Sequence, residues 1–398
     1  MISLDEARAR ILAALSPTQA ETLPLAAGWN RVLAAPLAAR LTQPPADVSA
    51  MDGYAVRAAD AQAGAVLRRI GAAPAGHPFA GTLGAGEAVR IFTGAFVPDG
   101  ADAILLQEDA TEQDGAVTVT ETVVAGRWIR RRGLDFSAGD VLLPAGRRLT
   151  ARDVGLAAAA NHPWLSLRRR PRIAILATGD EIALPGDPLP PGGIVSSNAH
   201  ALAALVLAGG GEPIVAPIVA DDRDAIVAAA RAAAGCDLIV TTGGASVGEH
   251  DLVQAALGPE GFALDFWKIA MRPGKPLIWG RLGATPLLGL PGNPVSALVC
   301  GVQFLLPALA ALQALPAGPP PTRMLRAGAA LAANDRRFDH LRASLSPDGG
   351  TATPFPTQDS SMLATLARAE ALILRAPHAP ALPAGAAVEA IILAELGV

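Results

Sequence analysis

Cysteine, tyrosine and lysine are all scarce in this chain of 398 residues. It has two cysteines, one tyrosine and two lysines, although lysine and arginine together number 32. Cys236 and Cys300 lie in apolar runs without Cys-x-x-Cys spacing, so the sequence indicates neither a disulfide framework nor a zinc site. A reducing, cytoplasmic location fits this cysteine usage best.

Charge of either sign is also sparse. Charged residues make up 17% of the chain, hydrophobic residues make up 51%, and the formal net charge is −4. There is no basic excess to mark a surface for nucleic acid or an anionic membrane, and the composition is the reverse of that of a disordered chain. We therefore predict a folded protein that binds neither nucleic acid nor a membrane.

One long stretch, between Arg281 and Arg323, carries no charge at all. Prolines and glycines divide it into a short strand at 287–290, a turn, and a helix over about 295–315 that is predicted to kink at Pro307. Apolar segments with such breaks are typical of buried core elements rather than membrane spans. At the start of the chain, the Ser3-x-x-Glu6 pattern predicts a capped amphipathic helix and no secretory signal.

Changes in composition predict an α/β multidomain fold. Residues 1–45 and 139–170 have helical character and are predicted to form one helical linker domain, into which residues 46–138 are inserted as a β-rich domain. Strands and helices alternate over residues 171–315, which predicts a central α/β domain with a parallel sheet and helices on both faces. Residues 322–398 follow a proline-rich linker and predict a C-terminal β-barrel-like domain.

Three polar loops follow predicted strands of the central domain, at residues 178–181, 241–244 and 291–294. The carboxyl ends of parallel strands share one edge of a sheet, where α/β proteins bind their ligands. Gly243 and Gly244 let backbone amides approach a ligand, and Pro294 suits the first turn of a helix whose N-terminus attracts anions. The pattern favours an anion site at this edge.

Both lysines, Lys268 and Lys275, fall within one short segment. Lysine is a compact point charge with three donors, which suits phosphate or another oxyanion better than the planar fork of arginine does. Carboxylates also occur in the polar loops, and near phosphate such hard oxygen ligands suit Mg²⁺. They are Asp52, Asp135, Asp180, Glu181, Asp221, Asp222, Glu249 and Asp251.

A serine hydrolase is an alternative interpretation. Gly244-Ala-Ser-Val-Gly248 follows a strand and matches the G-x-S-x-G nucleophile elbow, with Ser246 as the nucleophile. The acid and histidine would then be Asp339 with His340 or His378, which lie beyond the proline-rich linker. The sequence contains no P-loop motif and no G-x-G-x-x-G after a strand, which disfavours a P-loop ATPase and an ordinary dehydrogenase.

Seven sequence blocks, in chain order, resemble the molybdopterin molybdenumtransferase family, which includes the gephyrin E-domain. They are Ser49-Ala-Met-Asp-Gly-Tyr-Ala-Val56, Phe92-Thr-Gly-Ala-x-x-Pro98, Arg131-x-Gly-x-Asp135, Ala177-Thr-Gly-Asp-Glu181, Thr241-Thr-Gly-Gly-x-Ser-x-Gly248, Trp267-Lys268 with Pro273-Gly-Lys275, and Leu290-Pro-Gly-Asn-Pro-Val-Ser296. The resemblance implies a central domain of the molybdopterin-binding type. It also implies a Mg²⁺-dependent reaction in which adenylylated molybdopterin and molybdate give molybdenum cofactor and AMP.

The resemblance also implies roles for individual residues, carried over by matching position. The implied cofactor-binding residues are Asp221, Gly243, Gly244, Ser246, Pro291, Asn293, Ser296, Arg342 and Ser360. The implied catalytic residues are Asp52, Thr93, Asp135, Glu181, Asp251, Lys268, Arg272 and Lys275, with Glu181 and Asp251 as the Mg²⁺ ligands. Of these, Lys268, Arg272 and Lys275 are implied to face phosphate or molybdate. Many members of the family have lysine at the position of Arg272.

The implied active unit is a homodimer, in which Asp52, Thr93 and Asp135 of one subunit reach the site of the other. The implied partners are a molybdopterin adenylyltransferase, which supplies the substrate, and acceptor molybdoenzymes, which receive the product. A non-catalytic molybdopterin-binding or scaffold relative is the other alternative to the enzyme.

Overall fold

The computed structural model describes residues 1–243 and 252–398. The elements that precede the central domain are α1 (Leu4–Ala13), β1 (Ala20–Pro24), β2 (Leu37–Ala38), β3 (Val48–Ser49), β4 (Gly53–Val56), β5 (Val66–Ala73), β6 (Glu87–Ile91), β7 (Ala103–Leu106), β8 (Ala110–Gln113), β9 (Ala116–Val119), β10 (Ile129–Arg130), β11 (Val141–Leu143), α2 (Ala151–Ala159) and β12 (Trp164–Arg168).

The segments on either side of residues 46–138 share one small core. β1 pairs with β12 and β2 pairs with β11, both antiparallel. Leu37 from the first segment is buried with Leu143 and Leu167 from the second. A capping box between Thr150 and Asp153 starts α2 and satisfies its first backbone amides.

The secondary structure of this unit differs from the predicted helical linker domain. Within these fully described segments, α1 and α2 are the α-helices, and the other long elements are strands. Short apolar runs do not distinguish a buried strand from a helix, and here pairing across the insertion decides for strands. α1 also packs into the central domain, through Leu4, Ala7 and Ile11, rather than into the linker core.

The inserted segment is rich in β-structure. Six of its strands form a mixed sheet in the order β7-β4-β6-β5-β9-β8, and β3 pairs with β10 beside it. Asp52 precedes β4 and Thr93 follows β6, and these two strands are neighbours in the sheet.

The central domain is built from β13 (Arg172–Ala177), β14 (Ile182–Ala183), β15 (Ile194–Val195), α3 (Asn198–Ala208), β16 (Glu212–Val215), α4 (Arg223–Ala232), β17 (Leu238–Thr242), α5 (Leu252–Leu257), β18 (Phe262–Lys268), β19 (Met271–Arg272), β20 (Pro276–Leu282), β21 (Thr285–Leu290), α6 (Pro294–Cys300) and α7 (Leu306–Leu312). Its sheet has the order β16-β13-β17-β21-β20-β18. The first four of these strands are parallel, as predicted, and β20 is antiparallel to both neighbours.

Helices cover both faces of this sheet, which confirms the predicted α/β architecture. α1, α3, α6 and α7 contribute to the core on one face, and α4 and α5 to the core on the other. The carboxyl ends of β13, β17 and β21 meet at one edge, directly before the loops that begin at Thr178, Gly243 and Pro291.

The uncharged stretch forms a helical segment, Pro294–Leu312, that is long and apolar enough to span a membrane, but 78% of it is buried inside the protein. It therefore serves as a core helix. It ends three residues earlier than predicted, and its irregularity is a π-helical segment at Gly301–Leu305, just before Pro307. Because Pro307 has no N–H, the α-helical bond from residue 307 to residue 303 is missing there.

The C-terminal elements are β22 (Arg323–Ala327), β23 (Phe338–Leu345), β24 (Thr351–Pro354), α8 (Leu363–Ala367), β25 (Ala371–Arg375) and β26 (Ala387–Ile392). The strands pair in the order β23-β24-β22-β26-β25, and β25 pairs again with β23, which closes the predicted barrel. The central domain's β19 adds to the barrel beside β23, so the two domains share backbone pairing.

Candidate anion-binding site at the carboxyl edge of the sheet

A cavity of about 380 Å³ lies at the carboxyl ends of the parallel strands. Its walls come from all three loops that follow those strands, from the start of α3, and from the C-terminal domain. The lining residues are Ala177, Thr178, Glu181, Ile182, Ile194, Val195, Ser196, Ser197, Asn198, Thr242, Gly243, Gly292, Asn293, Pro294, Ser361 and Leu363. Of the residues predicted from sequence, Glu181, Gly243 and Asn293 are therefore brought together here.

Gly243 is required by the close approach of two of these loops. Its φ is +91°, in the left-handed region, and a Cβ at this position would overlap the backbone oxygen of Thr178. Asn198 then ties the loops to α3, because its Nδ2 donates to Thr242 Oγ1 at 2.9 Å and to the Gly292 oxygen at 2.7 Å. The floor of the cavity is thus fixed before a ligand arrives.

Hydroxyl groups surround this floor. Thr178, Ser196 and Thr242 are buried and line the cavity. Among the described residues, Thr178 Oγ1 has no hydrogen-bond partner. A buried hydroxyl without a partner is costly, so a polar ligand atom here would relieve that cost. These residues were not selected from the sequence, although their positions next to buried strands would have indicated them.

The loop at residues 291–294 is braced by the C-terminal domain. Asn293 Nδ2 donates to Ser360 Oγ at 2.9 Å, and Val295 N donates to the Ser360 backbone oxygen at 3.1 Å. Asn293 and Ser360 are therefore adjacent, as expected for one site. Pro291 at the start of the loop is buried, Ser296 is 5% exposed, and neither residue lines the cavity.

The two lysines lie at the same edge of the sheet as the cavity. Lys275 immediately precedes β20, whose start is level with the end of β21, and Lys268 pairs in register with Pro276. Strand spacing is about 4.8 Å, so these backbone positions are roughly one and two strand spacings from Leu290. Lys268 Nζ lies 3.4 Å from the centre of the Trp267 ring.

Arg272 differs from the two lysines because carboxylates already balance its charge. Its guanidinium pairs with Asp339 and lies 3.5 Å from Asp335. The hydrogen bond that Arg272 donates to Asp339 is the main cause of the raised pKa of Arg272. Arg272 thus joins β19 to the barrel, a structural role in addition to the expected contact with an oxyanion.

Of the predicted carboxylates that follow β13 and β16, Glu181 lines the cavity, and Asp180 and Asp221 do not. Glu181 is exposed, and Asp221 N donates to Asp180 Oδ1 at 3.0 Å. Burial raises the pKa of Asp221, and the negative charges of Asp180 and Glu181 raise it further. Within residues 1–243 and 252–398, no group of three or more acidic, histidine or cysteine residues could hold a metal ion.

Several predicted residues lie outside the part of the chain that the structure describes. They are Gly244, Ser246 and Asp251. The second expected Mg²⁺ ligand and the nucleophile of the alternative hydrolase are among them. Of the acid and the two candidate histidines of that hydrolase, Asp339 pairs with Arg272 and His340 Nε2 lies 2.9 Å from Gln303 Nε2, whereas the other candidate, His378, is an exposed residue of the C-terminal domain.

Asp52, Thr93 and Asp135 do not line this cavity. Asp52 Oδ1 accepts hydrogen bonds from the Thr93 backbone at 2.7 Å and from its hydroxyl at 2.8 Å, and these bonds lower the pKa of Asp52. Asp135 lines a separate cavity of about 330 Å³ with Phe96 and Leu134. The inserted domain therefore carries a polar cluster of its own.

Arg342 is 1% exposed and binds the loop that carries Ser360. Its backbone N and Nε donate to Gln358 Oε1, and Nη1 donates to the Met362 oxygen at 3.3 Å. Burial lowers the pKa of Arg342, and its Nη2 has no partner within the described residues. This donor is itself buried, and Arg342 does not line the cavity.

Comparison with known proteins places all these features in one family. Family models match residues 2–161 as the MoeA N-terminal region (domain I and II), residues 174–311 as a probable molybdopterin binding domain, and residues 324–393 as the MoeA C-terminal region (domain IV). A molybdopterin molybdenumtransferase from Haemophilus influenzae is 40% identical over 316 residues, which cover 79% of this chain and 78% of that protein. One from Nostoc sp. is 39% identical over 312 residues, 76% of this chain and 72% of that protein.

The fold agrees over the whole length. The crystal structure of a molybdopterin biosynthesis MoeA protein from Pyrococcus horikosii superposes with a TM-score of 0.87 at 28% identity, covering 98% of this chain and 99% of that chain.

Proposed function

Because the chain belongs to the molybdopterin molybdenumtransferase family and acts in molybdenum cofactor biosynthesis, we propose that its site transfers molybdenum from molybdate to adenylylated molybdopterin and releases AMP. Molybdate is a tetrahedral dianion, and the phosphate groups of the second substrate are also anionic. Both substrates therefore require cations and hydrogen-bond donors, and little hydrophobic surface.

The observation that carries this proposal is the placement of the cavity and the lysines at one edge of the sheet. The cavity supplies hydroxyl groups and the N-terminus of α3, which begins at Asn198, for phosphate oxygens. The backbone register supplies Lys268 and Lys275 next to the end of β21. A tetrahedral anion held by the lysines would thus adjoin a nucleotide held in the cavity.

Cationic, hydroxyl and acidic residues have different roles in the proposed reaction. Lys268 and Lys275 hold the oxyanion as point charges, and the hydroxyl of Thr178 donates to a phosphate oxygen in the cavity. Glu181 is a hard oxygen donor at the wall and, together with Asp251, would hold Mg²⁺. When bound, Mg²⁺ would neutralise charge on the phosphate groups while the bond to AMP breaks.

We further propose that the active unit is a homodimer. The cluster around Asp52 and Thr93 belongs to the inserted domain and is separate from the cavity of its own chain. In a dimer, Asp52, Thr93 and Asp135 of one copy would complete the site of the other.

The experiment is an assay of AMP release from adenylylated molybdopterin. We expect release only when molybdate and Mg²⁺ are both present, and none when sulfate replaces molybdate. Release that is equal with molybdate, sulfate or no oxyanion would contradict the transferase and favour a hydrolase. Tight binding of the substrate without any release would instead identify a non-catalytic molybdopterin-binding relative.

A further inference from the structure

The segment that carries both lysines, residues 268–275, is held by other parts of the chain. We call it the cationic loop. Phe338 N of the barrel donates to the Ala270 oxygen at 2.8 Å. Gly274 lies so close to the core helix that a Cβ there would overlap Sγ of Cys300. The loop is thus held by neighbouring parts of the chain, in addition to its own bond from Ile269 N to the Lys275 oxygen at 3.0 Å.

The N-terminal segment, residues 2–11, holds the cationic loop directly. Ile2 N donates to the Lys268 oxygen at 3.2 Å, and Ala270 N donates to the Ile2 oxygen at 2.9 Å. These two bonds form a parallel β-bridge between Ile2 and Ile269. The backbone at Lys268 cannot shift without breaking at least one of them.

The N-terminal segment is also connected to the cationic loop indirectly, through a series of buried side chains that begins with Arg8. Arg8 is 5% exposed, and its Nη2 donates to Gln303 Oε1 at 2.5 Å. Its Nε donates to the backbone oxygen of Gln303 at 3.3 Å. That oxygen cannot receive the usual helical hydrogen bond, since the donor would be Pro307. Arg8 therefore supplies a donor where the π-helical segment lacks one.

Gln303 carries this constraint to the barrel strand β23. Its Nε2 lies 2.9 Å from Nε2 of His340, and because the amide nitrogen donates, the ring nitrogen accepts. Burial lowers the pKa of His340 to about 4, which keeps the ring neutral and able to accept. The preceding residue, Asp339, is in register with Arg272 and binds its guanidinium. We call Arg8, Gln303 and His340 the buried relay.

A buried arginine requires an explanation, because desolvating its charge is unfavourable. Burial lowers the pKa of Arg8, and the opposing carboxylate of Asp5 is largely exposed. An aliphatic side chain would fill the same space without this penalty. What only the arginine provides is the pair of donors to Gln303.

We propose that the N-terminal segment is a positioning element of the active site, in which Ile2 and the buried relay fix the cationic loop so that Lys268 and Lys275 meet the oxyanion. The identity of that oxyanion rests on the proposed function. No residue of the segment is assigned a contact with substrate, so each acts through the loop.

The test compares Arg8→Met with Arg31→Met. Arg31 is 7% exposed, pairs with Glu21 and donates to the Arg168 oxygen, so it is a comparably buried arginine remote from the cationic loop. Ile2→Pro is a second variant, which removes the N–H that reaches Lys268 together with the isoleucine side chain, and Ile2→Ala, which removes only that side chain, is its control. Calorimetric titration with sodium molybdate alone gives the Kd, and the AMP-release assay gives KM and kcat for molybdate.

We expect Arg8→Met and Ile2→Pro to raise the Kd and KM for molybdate about tenfold and to leave kcat within about twofold. Arg31→Met should lower the thermal midpoint without changing either constant, and Arg8→Lys, which keeps a donor, should restore part of the affinity. Equal constants for wild type and Ile2→Pro, or equal changes in Arg8→Met and Arg31→Met, would overturn the proposal. Wild-type protein that binds molybdate but releases AMP without it would contradict the proposed function instead.

Discussion

Lys275 combines a positive charge with a position at the edge of the sheet where the cavity lies. It precedes β20 at the edge that carries the cavity, and it has no ion-pair partner among the residues that the structure describes. Arg272, three residues earlier, has two carboxylates around it. Lys275 is therefore, like Lys268, a cation that is available to a substrate anion.

Lys275→Met should lower kcat/KM for molybdate by roughly 10- to 100-fold. A charge-assisted hydrogen bond contributes about 1.5–3 kcal/mol, and the variant removes it without removing much volume. The measurement is initial AMP release against molybdate concentration. Arg231→Met, at an exposed arginine of α4 on the other face of the sheet, is the control and should leave kcat/KM unchanged. A Lys275→Met enzyme with the wild-type constant would remove this lysine from the site.

Gly243→Ala should destabilise the protein more than Gly235→Ala does. Both glycines have φ near +90°, which costs an alanine about 1–2 kcal/mol. A Cβ at Gly243 would also overlap the Thr178 oxygen, whereas at Gly235 it would meet open space. The difference between the two unfolding free energies, from urea titrations, measures the close approach of the loops. Equal losses would show that the loops have room to separate.

The packing of β23 against the core helix has a consequence for pH. His340 on β23 is buried and has a pKa of about 4 in the folded protein, against an ordinary value of 6.5. Between these values the unfolded chain binds a proton that the folded protein does not, so stability falls as the pH falls from 6.5 to 4. The full shift corresponds to about 3 kcal/mol.

His340→Gln should remove this part of the pH dependence, because glutamine stays neutral and keeps an acceptor for Gln303. The measurement is the urea unfolding free energy of wild type and variant at several values between pH 7 and pH 4.5. His77→Gln, at an exposed histidine of the inserted domain, should follow the wild-type curve. Parallel curves for wild type and His340→Gln would contradict the assignment of the acid sensitivity to His340.

Elements differed in how well the sequence predicted them. The loops at Thr178, Gly243 and Pro291 follow strands that are mostly apolar and are buried along nearly their whole length, so their place at one sheet edge could be predicted from chain order. The linker strands β1 and β12 were missed because each is defined by a partner on the far side of an insertion. The local composition of a strand does not indicate which distant strand it pairs with.

The same limit applies to the site. Arg8 and Gln303 are 295 residues apart in sequence, and neither belongs to a motif, so no local pattern indicates that they bond. The pairing of Arg272 with Asp339 also depends on docking the barrel against the central domain. Motif matching gave Lys275 and Gly243, and three-dimensional packing added Thr178 and Asn198.

At the scale of the whole molecule, the inserted domain and the central domain present separate polar clusters. The Asp52 and Thr93 cluster lies at strand ends in the sheet of the inserted domain, and the cavity lies at the carboxyl ends of strands in the central sheet. A homodimer with shared sites gives both clusters a common function, because each site then requires residues from two chains.

Mixing Asp52→Asn with Lys275→Met should therefore restore activity well above that of either variant alone. In a shared-site heterodimer, one site carries both changes and the other carries none. Random exchange of subunits then predicts about a quarter of wild-type activity. The assay is AMP release after co-expression of the two chains, with each variant alone as the control. No recovery in verified heterodimers would place both residues in a site formed within one chain.

The proposal that this protein transfers molybdenum is best tested by a measurement of the metal itself. Wild-type protein is incubated with adenylylated molybdopterin, molybdate and Mg²⁺, and molybdenum bound to the pterin is quantified alongside AMP. We expect equal amounts of the two products, and neither product when sulfate replaces molybdate. AMP released without molybdenum on the pterin would contradict the proposal.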